Sequence, residues 1–136
     1  MVGINAYETH DKLKNAVTDA EAVAEGLHSV GVERITSVSD CDIEQLTEKI
    51  NEFLSTLRHG DVAIVYVAAH AVIYRNRHVF LTTTSTHANI AQTSLSVQEL
   101  LVTLVIGYLA CTLMFGTYYS RVHKCPALHS TIRDWS

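Results

Sequence analysis

The stretch Val62 to Ala69, reading VAIVYVAA, constrains this chain more than any other, because it is apolar on both of its alternating faces. A strand with one face in water alternates polar and apolar residues, so an unbroken run predicts a central parallel strand covered by helices on both sides. Two amphipathic runs precede it. Leu13, Ala16, Val17, Ala20, Val23, Ala24 and Leu27 follow the i, i+3, i+4, i+7 spacing of a helix with one buried face, and Gly31 reads as its stop. Ile43, Leu46, Ile50, Phe53, Leu54 and Leu57 repeat the pattern; Asp42 with Gln45 predicts a capping box, and Gly60 a stop. Met1 to Ile4 and Ile35 to Val38 are short apolar segments that suit strands. The order strand, helix, strand, helix, strand predicts right-handed crossovers in an α/β sheet.

Beyond the central strand, Val72-Ile73-Tyr74 and His78 to Leu81 flank Arg75-Asn76-Arg77, which predicts a hairpin with Asn where a left-handed conformation is tolerated. Thr82 to Ser94 reads as a polar loop, and Ser96 with Glu99 as a second capping box opening a helix at Val97. The uncharged segment from Leu100 to Tyr119 is expected to be a buried helix followed by a buried strand at Val105 to Leu109. Its alternative is a transmembrane helix over 100–119, with Arg121, His123 and Lys124 holding the tail on the cytoplasmic side.

The chain has 136 residues, 48% hydrophobic and 18% charged with a single proline, which suits one packed domain rather than a disordered segment. Its net charge is −4, and its Lys and Arg residues form no basic stripe, so nucleic acid is not an expected partner. Cys41, Cys111 and Cys125 are far apart without a C-x-x-C pair, which argues against a zinc knuckle or a disulfide framework and for a reducing compartment. Met1 to Ile4 is too short for a signal-peptide core, so the expected address is cytoplasmic, with membrane association as the alternative.

The central strand ends on His70. Ligands and reacting groups gather at the carboxyl edge of open parallel sheets, which makes this histidine the first candidate for acid–base chemistry. The other histidines, at 10, 28, 59, 78, 87, 123 and 129, form no His-Glu-x-x-His pair, so metalloprotease chemistry has no support. A Gly-rich phosphate loop and a G-x-S-x-G serine elbow are also missing.

Three features in order resemble one family: Val2-Gly3-Ile4-Asn5 with Tyr7 after the first strand, Leu13-Lys14-Asn15-Ala16-Val17 with Asp19-Ala20 opening the first helix, and Gly60-Asp61 before the strand that ends in His70. Together, over Met1 to about Leu104, they resemble the p20 domain of the caspase-like cysteine peptidases (peptidase C14-like), nearest the metacaspase and orthocaspase branch. The resemblance implies a caspase-like three-layer αβα sandwich with a mostly parallel sheet, incomplete on its C-terminal side. It assigns residues 1–115 to the p20 domain and 116–136 to a C-terminal tail.

The family's Tyr-Ser-Gly-His-Gly pattern falls on Val67-Ala68-Ala69-His70-Ala71, which makes His70 the implied catalytic histidine and the Ala71 N–H the implied oxyanion-hole donor. Cys111, in Leu109-Ala110-Cys111, is the implied nucleophile, and Cys125 the second choice. Leu109 stands where metacaspases carry an acid, and Thr112 where caspases often carry Arg or Gln, so neither P1 preference transfers. The implied activity is hydrolysis of peptide bonds in peptide or protein substrates, without a cofactor. Calcium enters only because some relatives use it through acidic loops. The alternative function is a non-catalytic caspase-like interaction module, anchored to a membrane if 100–119 spans one. An unfinished sheet would also call for a second copy of the chain or a small-subunit partner. Cys41, between Asp40 and Asp42, reads as structural, its thiol pKa raised by those charges.

Overall fold

A computed structural model describes residues 1–108 and 111–118, with side chains described through Leu104. Its centre is a parallel sheet of four strands: β1 (Val2–Gly3), β2 (Val38–Ser39), β3 (Val62–Ala69) and β7 (Cys111–Tyr118), in the order β2-β1-β3-β7. A smaller antiparallel sheet joins β4 (Ala71–Tyr74), β5 (Arg77–Leu81) and β6 (Ser94–Ser96) in that order. The helices are α1 (Ala16–Ser29), α2 (Ile43–Thr56), a single turn α3 (Ile90–Thr93) and α4 (Val97–Tyr108).

Side-chain alternation on β3 explains the layering. Tyr66 and Ala68 point to one face and pack against Ala16 and Ala20 of α1. Val67 and Ala69 point to the other, into a cluster with Leu46 of α2 and Ile4, while Ala63 meets Leu54 of α2 and Leu100 and Leu104 of α4. Both faces of β3 are therefore buried over its second half, Tyr66 to Ala69, while Val62 at its start is exposed, as the end of an apolar run covered by helices allows. The mixed α/β fold with a parallel sheet between helices is the one expected from the sequence.

The local signals place several elements closely. The Asp42 carboxylate accepts from the Gln45 N–H at 2.9 Å and the Gln45 side chain accepts from the Asp42 N–H at 3.2 Å, which is the predicted capping box. The hairpin turn is the two-residue Arg75–Asn76, both at positive φ (47° and 64°), the geometry that matches strand twist.

Other elements shift. α1 begins at Ala16 rather than Leu13, because the Leu13 N–H donates to the Asn5 carbonyl and the Val17 N–H to the Asn5 side chain, which hold the preceding turn out of the helix. β2 is Val38–Ser39 rather than Ile35 to Val38, where pairing with β1 puts it. The expected loop 82–94 contains α3 and the start of β6.

The strand expected at Val105 to Leu109 is corrected: α4 continues to Tyr108, since Leu100 and Leu104, one turn apart, both bury against β3 and α2. Leu109 and Ala110 lie outside the described residues. The uncharged run is thus divided between a 12-residue helix and a strand. At ~1.5 Å per residue such a helix covers only about 18 Å of a ~30 Å bilayer core. No helix among the described residues is long and apolar enough to cross a membrane.

Candidate active site

β3 delivers His70 to the carboxyl edge of the parallel sheet, where the chain passes directly into β4. The loop from Asn5 to Asn15, between β1 and α1, closes over this edge. The His70 N–H donates to the Tyr7 hydroxyl at 2.8 Å, and its ring Nε2 lies 2.8 Å from the Asp11 carbonyl oxygen. A carbonyl oxygen only accepts, so Nε2 carries the proton in this contact and Nδ1 is the acceptor nitrogen of the neutral ring. The Tyr7 ring stands beside the imidazole, with centroids 4.7 Å apart and planes tilted by 51°. His10 lies further along the loop, 6.4 Å from His70 and 5.5 Å from His87 between ring centroids. Among the described residues no three His, Cys, Asp or Glu side chains come together as a metal site.

The loop is itself tied down from several directions. The Asp40 carboxylate, on a residue at φ 46° after β2, accepts from the N–H groups of Asn5 (2.6 Å) and Ala6 (2.8 Å). The Glu8 N–H donates to the Thr83 carbonyl at 3.0 Å, and the Thr9 hydroxyl to the Ser85 carbonyl at 2.9 Å. Thr82 and Ser85 are fully buried and hydrogen-bonded to each other and to the Thr93 carbonyl, which makes the 82–93 segment a rigid counterpart. Tyr7 is 2% exposed, and burial holds its hydroxyl protonated far above the usual tyrosine range.

Alanine at 69 and 71 raises a question of backbone strain, since glycine is the usual choice where φ must be positive. Neither residue has positive φ. Beyond His70, the two-residue turn makes Tyr74 and Arg77 the closing hydrogen-bonded pair of the hairpin. Alternation along an antiparallel ladder then turns the N–H of Ala71 away from β5.

Cys111 is placed differently from the sequence expectation. β7 does run beside β3 in parallel, but Cys111 is its first residue and pairs with Val62, the first residue of β3. Eight residues separate Val62 from His70, and at ~3.3 Å per residue this puts Cys111 about 26 Å away, at the opposite edge of the sheet. Cys111 is therefore not the partner of His70. The reason is that α4 occupies the segment up to Tyr108 and the strand starts at Cys111, six residues later than the expected Val105, so Tyr118 rather than Cys111 pairs with Ala69. Cys125, the second choice, lies outside the described residues.

Cys41 is 1% exposed in the cluster with Tyr7 and Ala69. Burial first, then the carboxylates of Asp42 and Asp40, push its thiol pKa up to about 11. At pH 8 only about one molecule in a thousand carries a Cys41 thiolate. Mass spectrometry after iodoacetamide treatment of the native chain at pH 8 is expected to find Cys41 unmodified, and modified only once the chain is unfolded.

The sequence pointed to His70 but not to the groups that hold it. Tyr7 stood within the resemblance as a motif residue, and the Asp11 carbonyl carries no side-chain signal at all. The family model for the caspase domain, Peptidase_C14, matches residues 1–112. The chain belongs to the caspase-domain family. Its α/β architecture is consistent with that membership. Curated proteins give no match.

Proposed function

We propose that this caspase-family domain is a cysteine endopeptidase, with His70 as the base and Cys125 as the nucleophile. The observation that carries the reading is the contact of His70 Nε2 with the Asp11 carbonyl at 2.8 Å. A base works in one tautomer and one orientation, and an acceptor fixed on the far nitrogen supplies both. Nδ1 takes the thiol proton, and sulfur attacks the carbonyl carbon of the substrate. The C–N bond then breaks with the proton passing to the leaving amine, and water hydrolyses the thioester to restore the thiol. The Ala71 N–H is the donor proposed for the oxyanion.

Chain direction favours Cys125 among the three cysteines. Cys41 is buried with a raised pKa, and Cys111 begins β7 at the far edge. The chain leaves β7 after Tyr118, level with Ala69 and hence at the edge of His70, and Cys125 is seven residues further in sequence (125 − 118). A second reading, the non-catalytic interaction module, has the placement of Cys41 and Cys111 in its favour.

One labelling experiment separates the two readings. The full chain is treated with tripeptidyl acyloxymethyl ketones bearing Arg, Lys or Asp at P1, and the adduct is located by mass spectrometry. An adduct on Cys125 that requires His70 supports the peptidase. Labelling of Cys111 in its place removes Cys125 as the nucleophile, and equal slow labelling by a simple alkylating agent and all three ketones overturns the peptidase in favour of the module.

A further inference from the structure

One loop holds His70 at three separate points: its backbone N–H through the Tyr7 hydroxyl, its ring face through the Tyr7 ring, and its Nε2 through the Asp11 carbonyl. Two of the three belong to Tyr7. From β5 the Leu81 N–H donates to the His70 carbonyl at 2.9 Å, which anchors the residue on its other side.

The hydroxyl of Tyr7 has a task that a core residue would not need. At the end of β3 the His70 N–H is no longer part of the parallel ladder, and a buried amide without an acceptor costs stability. Any acceptor would remove that cost. Tyr7 does so while laying its ring 4.7 Å from the imidazole, so the same side chain limits both the backbone and the rotamer of His70. Only a restricted rotamer keeps Nε2 in line with Asp11, four residues further along the same loop. The loop cannot yield easily, since Asp40, Thr83 and Ser85 fasten its first half.

We infer that Tyr7 is a positioning residue for His70, selecting the tautomer with the proton on Nε2 and leaving Nδ1 as the acceptor. The inference deepens the peptidase reading and rests on it for its functional meaning, but the tautomer is measurable without any activity.

The test is long-range ¹H–¹⁵N NMR of the imidazoles, together with amide hydrogen exchange, on the full chain and on Tyr7→Phe. Phenylalanine keeps the ring and its packing and deletes only the hydroxyl. In the wild-type chain His70 is expected as the Nε2–H tautomer with a protected amide. In Tyr7→Phe its amide exchanges about tenfold faster relative to its β3 neighbours, as loss of one hydrogen bond to a buried group implies, and the tautomers mix. Where peptide hydrolysis is measurable, kcat falls while KM holds, and the pH profile shifts.

A wild-type His70 in the Nδ1–H form, or one whose amide exchanges freely, overturns the inference without recourse to a variant. So does a folded Tyr7→Phe with wild-type tautomer and exchange. A chain that shows the tautomer shift but cleaves no peptide keeps the positioning role and loses the peptidase, so the two failures are distinguishable.

Discussion

Replacement of Gly3 by alanine is expected to destabilise the fold by ~3 kcal/mol or more, the upper end of what overpacking costs. A methyl at this position would stand 2.6 Å from the Val17 Cα and 2.7 Å from the Ala16 carbonyl oxygen. Both are backbone atoms of α1, which no rotamer change can move. β1 cannot retreat either, because Val2 and Gly3 pair with β2 on one side and β3 on the other. Against a total stability of about 5–15 kcal/mol for a domain, such a loss is large. Urea unfolding monitored by circular dichroism should show the midpoint falling by about 1 M or more at unchanged slope, for a slope near 1–3 kcal/mol per molar. Gly26→Ala is the internal control. It lies within α1 with nothing within 4 Å of the added methyl, so the same substitution there should stabilise the helix by about 0.5–1 kcal/mol. Equal midpoints for the two variants would mean that α1 does not sit on β1 this closely.

The second large effect concerns chemistry. His70→Ala is expected to lower kcat/KM for peptide hydrolysis by about 10²–10⁴, the usual contribution of a positioned acid–base group. His70 is only half-buried at a strand end, and alanine retains the backbone N–H that Tyr7 holds and the carbonyl that Leu81 holds. The fold should therefore survive, and the urea midpoint is the check. Alkylation of Cys125 followed against pH gives a reading independent of substrate. In the native chain, modification well below the free-thiol pKa of ~8.5 is expected, and in His70→Ala a profile moved up to that value. Identical profiles in the two proteins would remove His70 from the chemistry.

Where the sequence was legible, a short segment carried the whole signal. The absence of alternation in Val62 to Ala69 was enough to predict a strand covered on both faces, which holds from Tyr66 to Ala69, and the Asp42–Gln45 box was enough to start α2. Arg75-Asn76 turned the hairpin because a tight turn of matching twist needs two residues at positive φ. His70 was visible for the same reason: it ends the one strand whose place in the sheet the sequence settles locally.

The misplaced strand shows the limit. LLVTLVIGYLACTLMFGTYY is apolar throughout, so neither the helical nor the strand period stands out in it, and the boundary between α4 and β7 has no local mark. That boundary follows from the burial of Leu100 and Leu104 against β3, and it moves Cys111 from the carboxyl edge to the amino edge. A shift of seven residues, from Cys111 to Tyr118 at the level of Ala69, changes which residue of a strand meets His70, although the composition of the segment is the same.

The candidate site was divided in the same way. Its histidine was readable, whereas the loop that holds it was not, because a backbone carbonyl at residue 11 and a hydroxyl at residue 7 act through contacts 59 and 63 residues away in the chain. By itself the sequence determined the elements whose stability is local: the covered central strand, the capped helix, the tight turn, and the histidine that follows the strand. Tertiary structure alone decided the register of β7 beside β3, the edge of the sheet at which Cys111 stands, and the loop carbonyl that the His70 ring meets. Each of these is settled by packing between segments far apart in the chain, and no local pattern encodes such a distance.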